Sequence, residues 1–264
     1  MVLNFYSFSS GSSGNCYLVK SKEAAILIDA GISGRKILQS LESTRTSPAE
    51  LDALLISHEH YDHVRSLKTV SRKIPQMRVF ANSGTWEPIE ALVDESKRAV
   101  FETGKSFWIK DVEVMPFAVS HDAAEPVGFS LRSEGKQISI LTDTGCLDKN
   151  IYDEIKNADL LILEANHDVE MLKMGRYPYF VKQRILSSLG HLSNTDAANA
   201  IAKLHSEEKK ERHILLAHLS KENNFPEMAY LTIKNLLEEK NHRIGAGLRV
   251  NIISRDELSA LYTI

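Results

Sequence analysis

Six consecutive residues, His58-Glu59-His60-Tyr61-Asp62-His63, constrain this chain more than any other stretch of it. They follow an apolar run at residues 51–56, which predicts a buried strand that ends where the histidines begin. His58, His60, Asp62 and His63 offer four metal-ligand side chains. Crowded together without a cation, such groups would repel one another and lose hydration. The stretch therefore predicts a metal-binding loop at the end of a strand.

Residues elsewhere in the chain are needed to complete a pair of metal sites. Three candidates, His121, Asp143 and His218, each follow an apolar run that is typical of a strand. One such residue alone would be weak evidence, because Asp often begins a turn. Three of them beside the histidine stretch favour a shared metal site.

Composition limits the class of protein. The chain of 264 residues is 43% apolar and 25% charged, which is ordinary for a soluble globular protein. Its net charge of −3 argues against a basic nucleic-acid coat but leaves a local basic patch open. Two cysteines, Cys16 and Cys146, are too few for a disulfide framework or a thiolate zinc cluster.

The chain shows no targeting or membrane signal. Residues 1–5 lack the basic region and apolar core of a signal peptide. No apolar run approaches the roughly 20 residues that span a bilayer. We therefore expect a cytoplasmic protein without membrane contact.

The order of predicted elements indicates a layered α/β fold. Strand patterns occupy residues 3–8, 16–19, 25–28, 51–56, 77–81, 106–109, 112–119, 127–132, 137–142, 160–163, 214–217 and 248–253. Helical patterns occupy residues 34–41, 83–95, 147–156, 179–188, 195–204 and 226–240. Two strand-rich halves that each finish in helices predict two sheets packed face to face with helices outside.

The metal-ligand pattern resembles that of the metallo-β-lactamase superfamily. The signature His-x-His-x-Asp-His is residues 58–63, and the later His, Asp and His of the family match His121, Asp143 and His218. Asp29, in Leu27-Ile28-Asp29-Ala30-Gly31, matches a carboxylate that orients the histidine loop from behind the ligands. The resemblance implies one domain over residues 1–264 with a four-layered αββα sandwich.

The resemblance also implies a set of ligands for two divalent ions. One ion would be held by His58, His60 and His121, the other by Asp62, His63 and His218, and Asp143 would bridge both. A hydroxide shared by the ions would be the nucleophile, oriented by Asp62, which makes Asp62 and Asp143 catalytic as well. Imidazole and carboxylate ligands leave zinc, manganese and iron open.

Further stretches resemble the WalJ/YycJ-type nuclease group of this superfamily. They are residues 10–15 (Ser-Gly-Ser-Ser-Gly-Asn), 120–128, 164–168 (Glu-Ala-Asn-His-Asp), 190–194 (Gly-His-Leu-Ser-Asn) and 218–224. This resemblance implies a 5′-to-3′ exonuclease with DNA favoured over RNA as substrate. Superfamily enzymes that process tRNA carry a glutamate and a later histidine that match Glu164, behind the ligands, and His191, a candidate proton donor.

Several polar residues are candidates for binding the substrate. Ser10, Ser12, Ser13 and Asn15 form a loop whose glycines allow close backbone approach to phosphate; a plain tight turn is the alternative. The other candidates are His167, Ser193, Asn194 and Asn223. Asn194 is also a candidate cap of the helix that follows.

A basic stretch at residues 172–185 is the remaining sequence feature of interest. It contains Lys173, Arg176, Lys182 and Arg184 but no acid, with Tyr177, Tyr179 and Phe180 interleaved. Cations and rings together are what a single-stranded nucleic acid requires. The alternative is a solvated helix face whose aromatic residues belong to the core.

Three other functions remain open from the sequence. One is a tRNA-processing-like endoribonuclease, and another is a small-molecule hydrolase of a thioester, lactone or cyclic phosphate. The third is a metal-binding regulatory module without catalysis, which the presence of all seven ligands disfavours. The sequence therefore predicts first a dinuclear metal-dependent phosphodiesterase acting on nucleic acid.

Overall fold

The computed structural model describes residues 3–207, 210–245 and 247–264. Contacts divide the chain into two compact units, and each is assembled from separate stretches. The first unit comprises the described residues through Ala118, then Ala123–Lys136 and Ser254–Ile264. The second comprises Val119–Asp122 and the described part of Gln137–Ile253. The expectation of a single domain stays a prediction.

The described residues form two seven-stranded sheets. The strands are β1 (Asn4–Ser9), β2 (Cys16–Lys20), β3 (Ala25–Ile28), β4 (Ala53–Leu55), β5 (Arg78–Ala81), β6 (Arg98–Val100), β7 (Phe107–Ile109), β8 (Val112–Ala118), β9 (Val127–Ser133), β10 (Lys136–Leu141), β11 (Leu160–Glu164), β12 (Arg212–Ala217), β13 (Leu248–Ile252) and β14 (Tyr262–Thr263). The first sheet consists of β1–β6 with β14, and the second of β7–β13.

Nine helices accompany these strands within the described ranges. They are α1 (Gly34–Ser43), α2 (Tyr61–Val64), α3 (Leu67–Lys73), α4 (Ser83–Ile89), α5 (Lys149–Ile155), α6 (Val169–Met174), α7 (Tyr179–Ile185), α8 (Asn194–Glu207) and α9 (Pro226–Glu239). Short 3₁₀ turns occur at Pro48–Glu50, Glu90–Leu92 and Glu95–Lys97. None of the helices that can be described is long and apolar enough to cross a bilayer.

Strand direction changes within the first unit. The sheet runs β14-β1-β2-β3-β4-β5-β6, antiparallel from β14 to β3 and parallel from β3 to β6. Helix α1 begins where the Ser33 side chain accepts a hydrogen bond from the Lys36 amide, and it buries Ile37 and Leu41, one turn apart. This amphipathic helix covers the apolar core of the unit.

All four strands of the second unit are parallel. Strand β10 pairs with β11, β11 with β12, and β12 with β13, each in parallel register. Buried residues fill β11 throughout, as expected for a central parallel strand. The carboxyl ends of β10, β11 and β12 consequently face the same edge of the sheet, and the polar residues that follow them meet there.

Helix boundaries are where the sequence predictions differ most from the structure. The helix predicted to reach residue 95 ends at Ile89, because Pro88 lies inside its last turn and Asp94 caps a separate 3₁₀ turn. The cap of α8 is Ser193, whose Oγ accepts the Asp196 amide at 3.1 Å, while Asn194 is already helical. The sequence did not predict the short helices α2, α3 and α6.

Gly31 fixes how the histidine loop lies in the first unit. The Gly31 amide donates to the Asn15 carbonyl at 2.9 Å, and the Asn15 amide donates to the Asp62 carbonyl at 2.8 Å. A Cβ added at Gly31 would lie 1.5 Å from the same Asp62 carbonyl oxygen. Only glycine therefore permits the chain after β3 to pass directly beneath Asp62.

We expect Gly31→Ala to lower the free energy of unfolding by about 3 kcal/mol, because the added methyl must displace backbone. Urea unfolding monitored by circular dichroism measures the change. Gly34→Ala is the matched control, since its Cβ would first meet the Thr69 side chain at 3.2 Å, a contact that can yield. Equal unfolding midpoints for the two variants would contradict this account of Gly31.

Candidate metal and catalytic residues

A buried carboxylate organises the histidine loop of the first unit. Asp29 accepts hydrogen bonds from the Ser57 amide and from Ser57 Oγ, both at 2.9 Å. Its Oδ2 also lies 2.7 Å from His63 Nδ1. A carboxylate only accepts at neutral pH, so Nδ1 carries the proton and Nε2 of His63 presents a lone pair. Asp29 thus orients His63 as carboxylates behind metal ligands do.

His63 Nε2 accepts a hydrogen bond from the side-chain nitrogen Nδ2 of Asn15 at 3.0 Å. The Asn15 oxygen in turn accepts the Gly11 amide at 2.9 Å, which fixes which end of the side chain faces His63. In this arrangement Nε2 of His63 therefore carries no proton, as binding to a cation requires.

His58 and His60 present ring nitrogens to a common point. His58 Nε2 lies 3.2 Å from His60 Nδ1. Two nitrogens bound to one tetrahedral zinc at about 2.0–2.1 Å would be about 3.3 Å apart. The spacing of the pair therefore fits joint coordination of one ion. Asp62 extends the same loop, with Oδ2 3.7 Å from His63 Nε2.

A second cluster lies at the strand ends of the second unit. It contains Asp143, Glu164, His191 and His218, which offer ligand atoms within 4.8 Å of one another. Asp143 follows β10, Glu164 ends β11, and His218 follows β12. The parallel register of these strands therefore brings together residues that are far apart in the sequence.

Glu164 is the centre of this second cluster. Its Oε1 lies 2.8 Å from Nδ1 of His191 and 2.8 Å from Nδ1 of His218. Its Oε2 accepts the backbone amides of Thr144 at 2.9 Å and Leu192 at 3.3 Å. Both histidines must donate from Nδ1, because the carboxylate only accepts. Glu164 thereby directs Nε2 of each ring away from itself.

Burial and charge oppose each other in this cluster. Burial alone would raise the pKa of Glu164, but the charges and hydrogen bonds of His191 and His218 outweigh it and lower that pKa. Burial alone would lower the pKa of His191, but Glu164 and Asp143 outweigh it and raise that pKa. The carboxylate of Glu164 and the protonated form of His191 therefore favour each other.

His121 belongs to the same unit. Its Nδ1 lies 3.1 Å from the Gly190 carbonyl, and its Nε2 lies 4.0 Å from Asp143 Oδ1. Burial is the main reason that its pKa is lowered, with His191 contributing in the same direction. A neutral imidazole whose Nδ1 donates to a carbonyl carries on Nε2 the lone pair that a metal donor needs.

Three of the residues predicted at the site have strained backbones. The φ angles of Asp29, Asp143 and His218 are 60°, 57° and 54°. This left-handed region costs a non-glycine residue about 1–2 kcal/mol. Each residue directly follows or nearly follows a strand end, where the chain turns sharply and aims the side chain. Strain of this kind concentrates at functional sites.

The predicted phosphate loop has an exposed tip and buried ends. Ser12 and Ser13 are exposed, whereas Ser10 and Asn15 are buried. Ser10 Oγ is 2.8 Å from the Tyr17 hydroxyl. A substrate-binding role for this loop stays a prediction, and it falls most directly on the two exposed serines.

The other predicted substrate-binding residues are buried in the second unit. Ser193 caps α8, and Asn194 Nδ2 donates to Asn224 Oδ1 at 3.1 Å. The Asn223 carbonyl accepts the Asp168 amide at 2.9 Å. Their direct contacts are therefore structural, and their proposed roles toward substrate stay predictions.

Ser57 and Asn166 are two site residues that the sequence did not single out. Ser57 bonds Asp29 and lies 3.0 Å from His58 Nδ1. Asn166 Nδ2 donates to the His218 carbonyl at 3.0 Å, which supports the strained turn. Their positions in the sequence could have indicated them. Ser57 directly precedes the histidine stretch, and Asn166 lies between Glu164 and His167.

His167 is buried, and neither ring nitrogen has a hydrogen-bond partner within the described ranges. Burial, aided by His191, lowers its pKa to about 4. The unfolded chain therefore binds this proton more readily than the folded chain between pH 6.5 and 4. The contribution of neutral His167 to the free energy of unfolding is therefore present above pH 6.5, and it is lost as the pH falls toward 4.

We expect metal-free protein to lose about 2 kcal/mol of unfolding free energy through His167 between pH 7 and pH 5. Urea titrations in chelator at the two pH values measure the loss. His167→Leu should remove that part of the difference, whereas His242→Leu should keep it. The same pH difference in wild type and His167→Leu would disprove the assignment.

Comparison with known proteins supports both the fold and the family. Residues 24–218 match the family model described as a β-lactamase superfamily domain. Exodeoxyribonuclease WalJ of Streptococcus pneumoniae serotype 2 (strain D39 / NCTC 7466) is 40% identical over 258 residues, covering 96% of this chain and 95% of that protein. Exodeoxyribonuclease YycJ of Bacillus anthracis is 38% identical over 254 residues, covering 95% of each.

A solved structure shows the same fold at low sequence identity. The metallo-β-lactamase fold protein YhfI of Bacillus subtilis superimposes with a TM-score of 0.74 at 16% identity, covering 98% of this chain and all of that one. This likeness confirms the predicted α/β fold class. With the family match and two full-length relatives, it establishes that the chain belongs to the metallo-β-lactamase superfamily.

Proposed function

We propose that this protein is a metal-dependent exodeoxyribonuclease that degrades DNA from the 5′ end. The observation that carries the proposal is its similarity, over 96% of the chain at 40% identity, to a protein named as an exodeoxyribonuclease. The similarity extends over 95% of that protein, so it is not confined to the metal-ligand stretch. The 5′-to-3′ direction comes from the resemblance of residues 10–15, 164–168 and 190–194 to that nuclease group.

We propose that two divalent ions bind the protein. One would be held by His58, His60 and His121, the other by Asp62, His63 and His218, with Asp143 as bridge. The 3.2 Å spacing of the His58 and His60 nitrogens and the orientation of His63 by Asp29 both fit cation binding. The donors are imidazoles and carboxylates, which accept zinc, manganese or iron.

Bound ions would supply an activated water and stabilise negative charge on the phosphate. The remaining chemistry belongs to the protein. Asp62 would orient the attacking water, since its carboxylate is partly exposed at the end of the histidine loop. Asn15 and Asp29 hold His63 from opposite sides, so the loop enters the reaction already ordered.

His191 is proposed to protonate the leaving oxygen. Glu164 fixes its Nδ1 at 2.8 Å, so Nε2 is the nitrogen that would face the substrate. The ring is partly exposed, unlike that of His218, which the same carboxylate also holds. Glu164 therefore acts as a positioning residue for one candidate acid and one candidate ligand at once.

DNA is the proposed substrate, and a cytoplasmic location stays a prediction. Purified protein should release labelled mononucleotides early from a 5′-labelled DNA strand and only late from a 3′-labelled strand. Reactions in manganese, zinc and iron, with an RNA strand of the same sequence, separate metal and sugar preference. Asp143→Ala should be inactive, whereas Asp153→Ala, an exposed acid on α5, should cleave normally. Cleavage of neither strand under any of these metals would refute the proposal.

Removing single donors should separate metal binding from proton transfer. His60→Ala is expected to lower the metal content measured by elemental analysis from two ions per chain. His191→Gln is expected to keep both ions but to lower kcat by roughly 10²–10⁴-fold, the usual contribution of a general acid. His242→Gln is the control for histidine loss. Full activity and full metal content in His60→Ala would contradict the ligand assignment.

A further inference from the structure

Exposed apolar side chains concentrate on one segment of the second unit. Five of the eleven large apolar side chains exposed among the described residues lie between residues 174 and 189. The most exposed are Met174 at 87%, Tyr179 at 77% and Phe180 at 73%. Tyr179 and Phe180 are therefore not core residues, contrary to one of the two interpretations of the sequence, while Tyr177 is half-buried. Adjacent exposed rings of this kind mark a binding surface.

The charge of the same segment is positive. Residues 171–195 contain no Asp or Glu. Lys173 pairs with Glu170 at 2.9 Å, and Arg184 forms a bidentate pair with Asp122. Arg176 and Lys182 take part in no ion pair within the described part of the chain, and Lys182 Nζ instead donates to the Lys173 carbonyl at 2.7 Å. Two cations therefore remain for a ligand beside the rings.

Helix α7 connects this segment to the second cluster, which consists of Asp143, Glu164, His191 and His218. The Ile185 carbonyl, at its carboxyl end, accepts the His191 amide at 3.1 Å. The Gly190 carbonyl accepts from His121, whose neighbour Asp122 holds Arg184. A Cβ on Gly190 would lie 2.2 Å from the Ile185 carbonyl oxygen, so this turn requires glycine.

The rings lie at the other end of the same helix. Tyr179 and Phe180 precede Ile185 by six and five residues, which is about 8–9 Å along a helix axis. Two or three stacked nucleotides, at about 3.4 Å each, span a comparable distance.

We propose that α6 and α7 form a platform that holds the unpaired nucleotides of the DNA strand next to the phosphate being cleaved. We call residues Met174, Arg176, Tyr179, Phe180 and Lys182 the strand platform. Tyr179 and Phe180 stack on bases, and Arg176 and Lys182 contact phosphates. Rings with unpaired cations are the combination that single-strand binding proteins use. The inference rests on the proposed nuclease function and assigns the substrate's single-stranded part to a particular surface.

The test compares a DNA strand with a small diester. For Tyr179→Ala/Phe180→Ala, the ratio of kcat/KM on a single-stranded DNA 20-mer to kcat/KM on methyl p-nitrophenyl phosphate should fall about 100-fold, roughly tenfold for each ring. The diester corrects for any loss of folded, metal-loaded enzyme. Tyr179→Phe/Phe180→Tyr should restore the ratio. Trp108→Ala/Leu231→Ala, which removes two exposed apolar side chains from other elements, should leave it unchanged.

The cations have a separate test. Arg176→Gln/Lys182→Gln should reduce the slope of log KM for the 20-mer against log salt by roughly 1.4, because each phosphate contact on a single strand contributes about 0.7. Lys240→Gln/Arg243→Gln, two exposed cations at the end of α9, is the matched control.

An unchanged ratio for Tyr179→Ala/Phe180→Ala would overturn the proposal while leaving the nuclease function intact. It would also be overturned if size-exclusion chromatography showed that this variant only converts a dimer to a monomer, with the ratio unaffected. If wild-type protein cleaves the diester but no DNA, the proposed function itself fails.

Discussion

The hydrogen bond from an imidazole Nδ1 to a buried carboxylate is the interaction on which the candidate residues of each unit depend. Asp29 makes it to His63 in the first unit, and Glu164 makes it to both His191 and His218 in the second. A buried carboxylate is costly unless donors satisfy it, and backbone amides supply the rest here. Because each carboxylate only accepts, it fixes the tautomer of every histidine it contacts and places the lone pair of the ring on Nε2.

The backbone contributes through strain at the strand ends. Asp29, Asp143 and His218 occupy the left-handed region in which glycine would be preferred. Surrounding hydrogen bonds stabilise these conformations. One of them is the bond from the Asn166 side-chain Nδ2 to the His218 carbonyl. These strained conformations lower the stability of the fold but orient the side chains. Strain of this kind is expected at a functional site.

A net charge of −3 does not conflict with a nucleic-acid substrate. Electrostatic attraction to a phosphate chain depends on local charge, and the acid-free stretch of 25 residues, 171–195, includes His191 of the candidate cluster. Tyr179 and Phe180 are exposed to solvent there, and Arg176 and Lys182 form no ion pair within the described residues. An exonuclease that must grip a free strand end needs both features together.

The sequence by itself determined the class of fold, most strand positions and the types of side chain at the candidate ligand positions. Alternation and apolar runs report burial directly, and four donors within six residues admit few interpretations. Helix ends were less predictable, since Pro88 and the Ser193 cap act through local geometry that periodicity does not encode. Only the tertiary structure decided that Glu164 joins His191 to His218, because parallel register places strand ends side by side whatever their separation in sequence. It also decided that Tyr179 and Phe180 face solvent, since an aromatic residue's type alone does not tell whether a neighbouring element covers it.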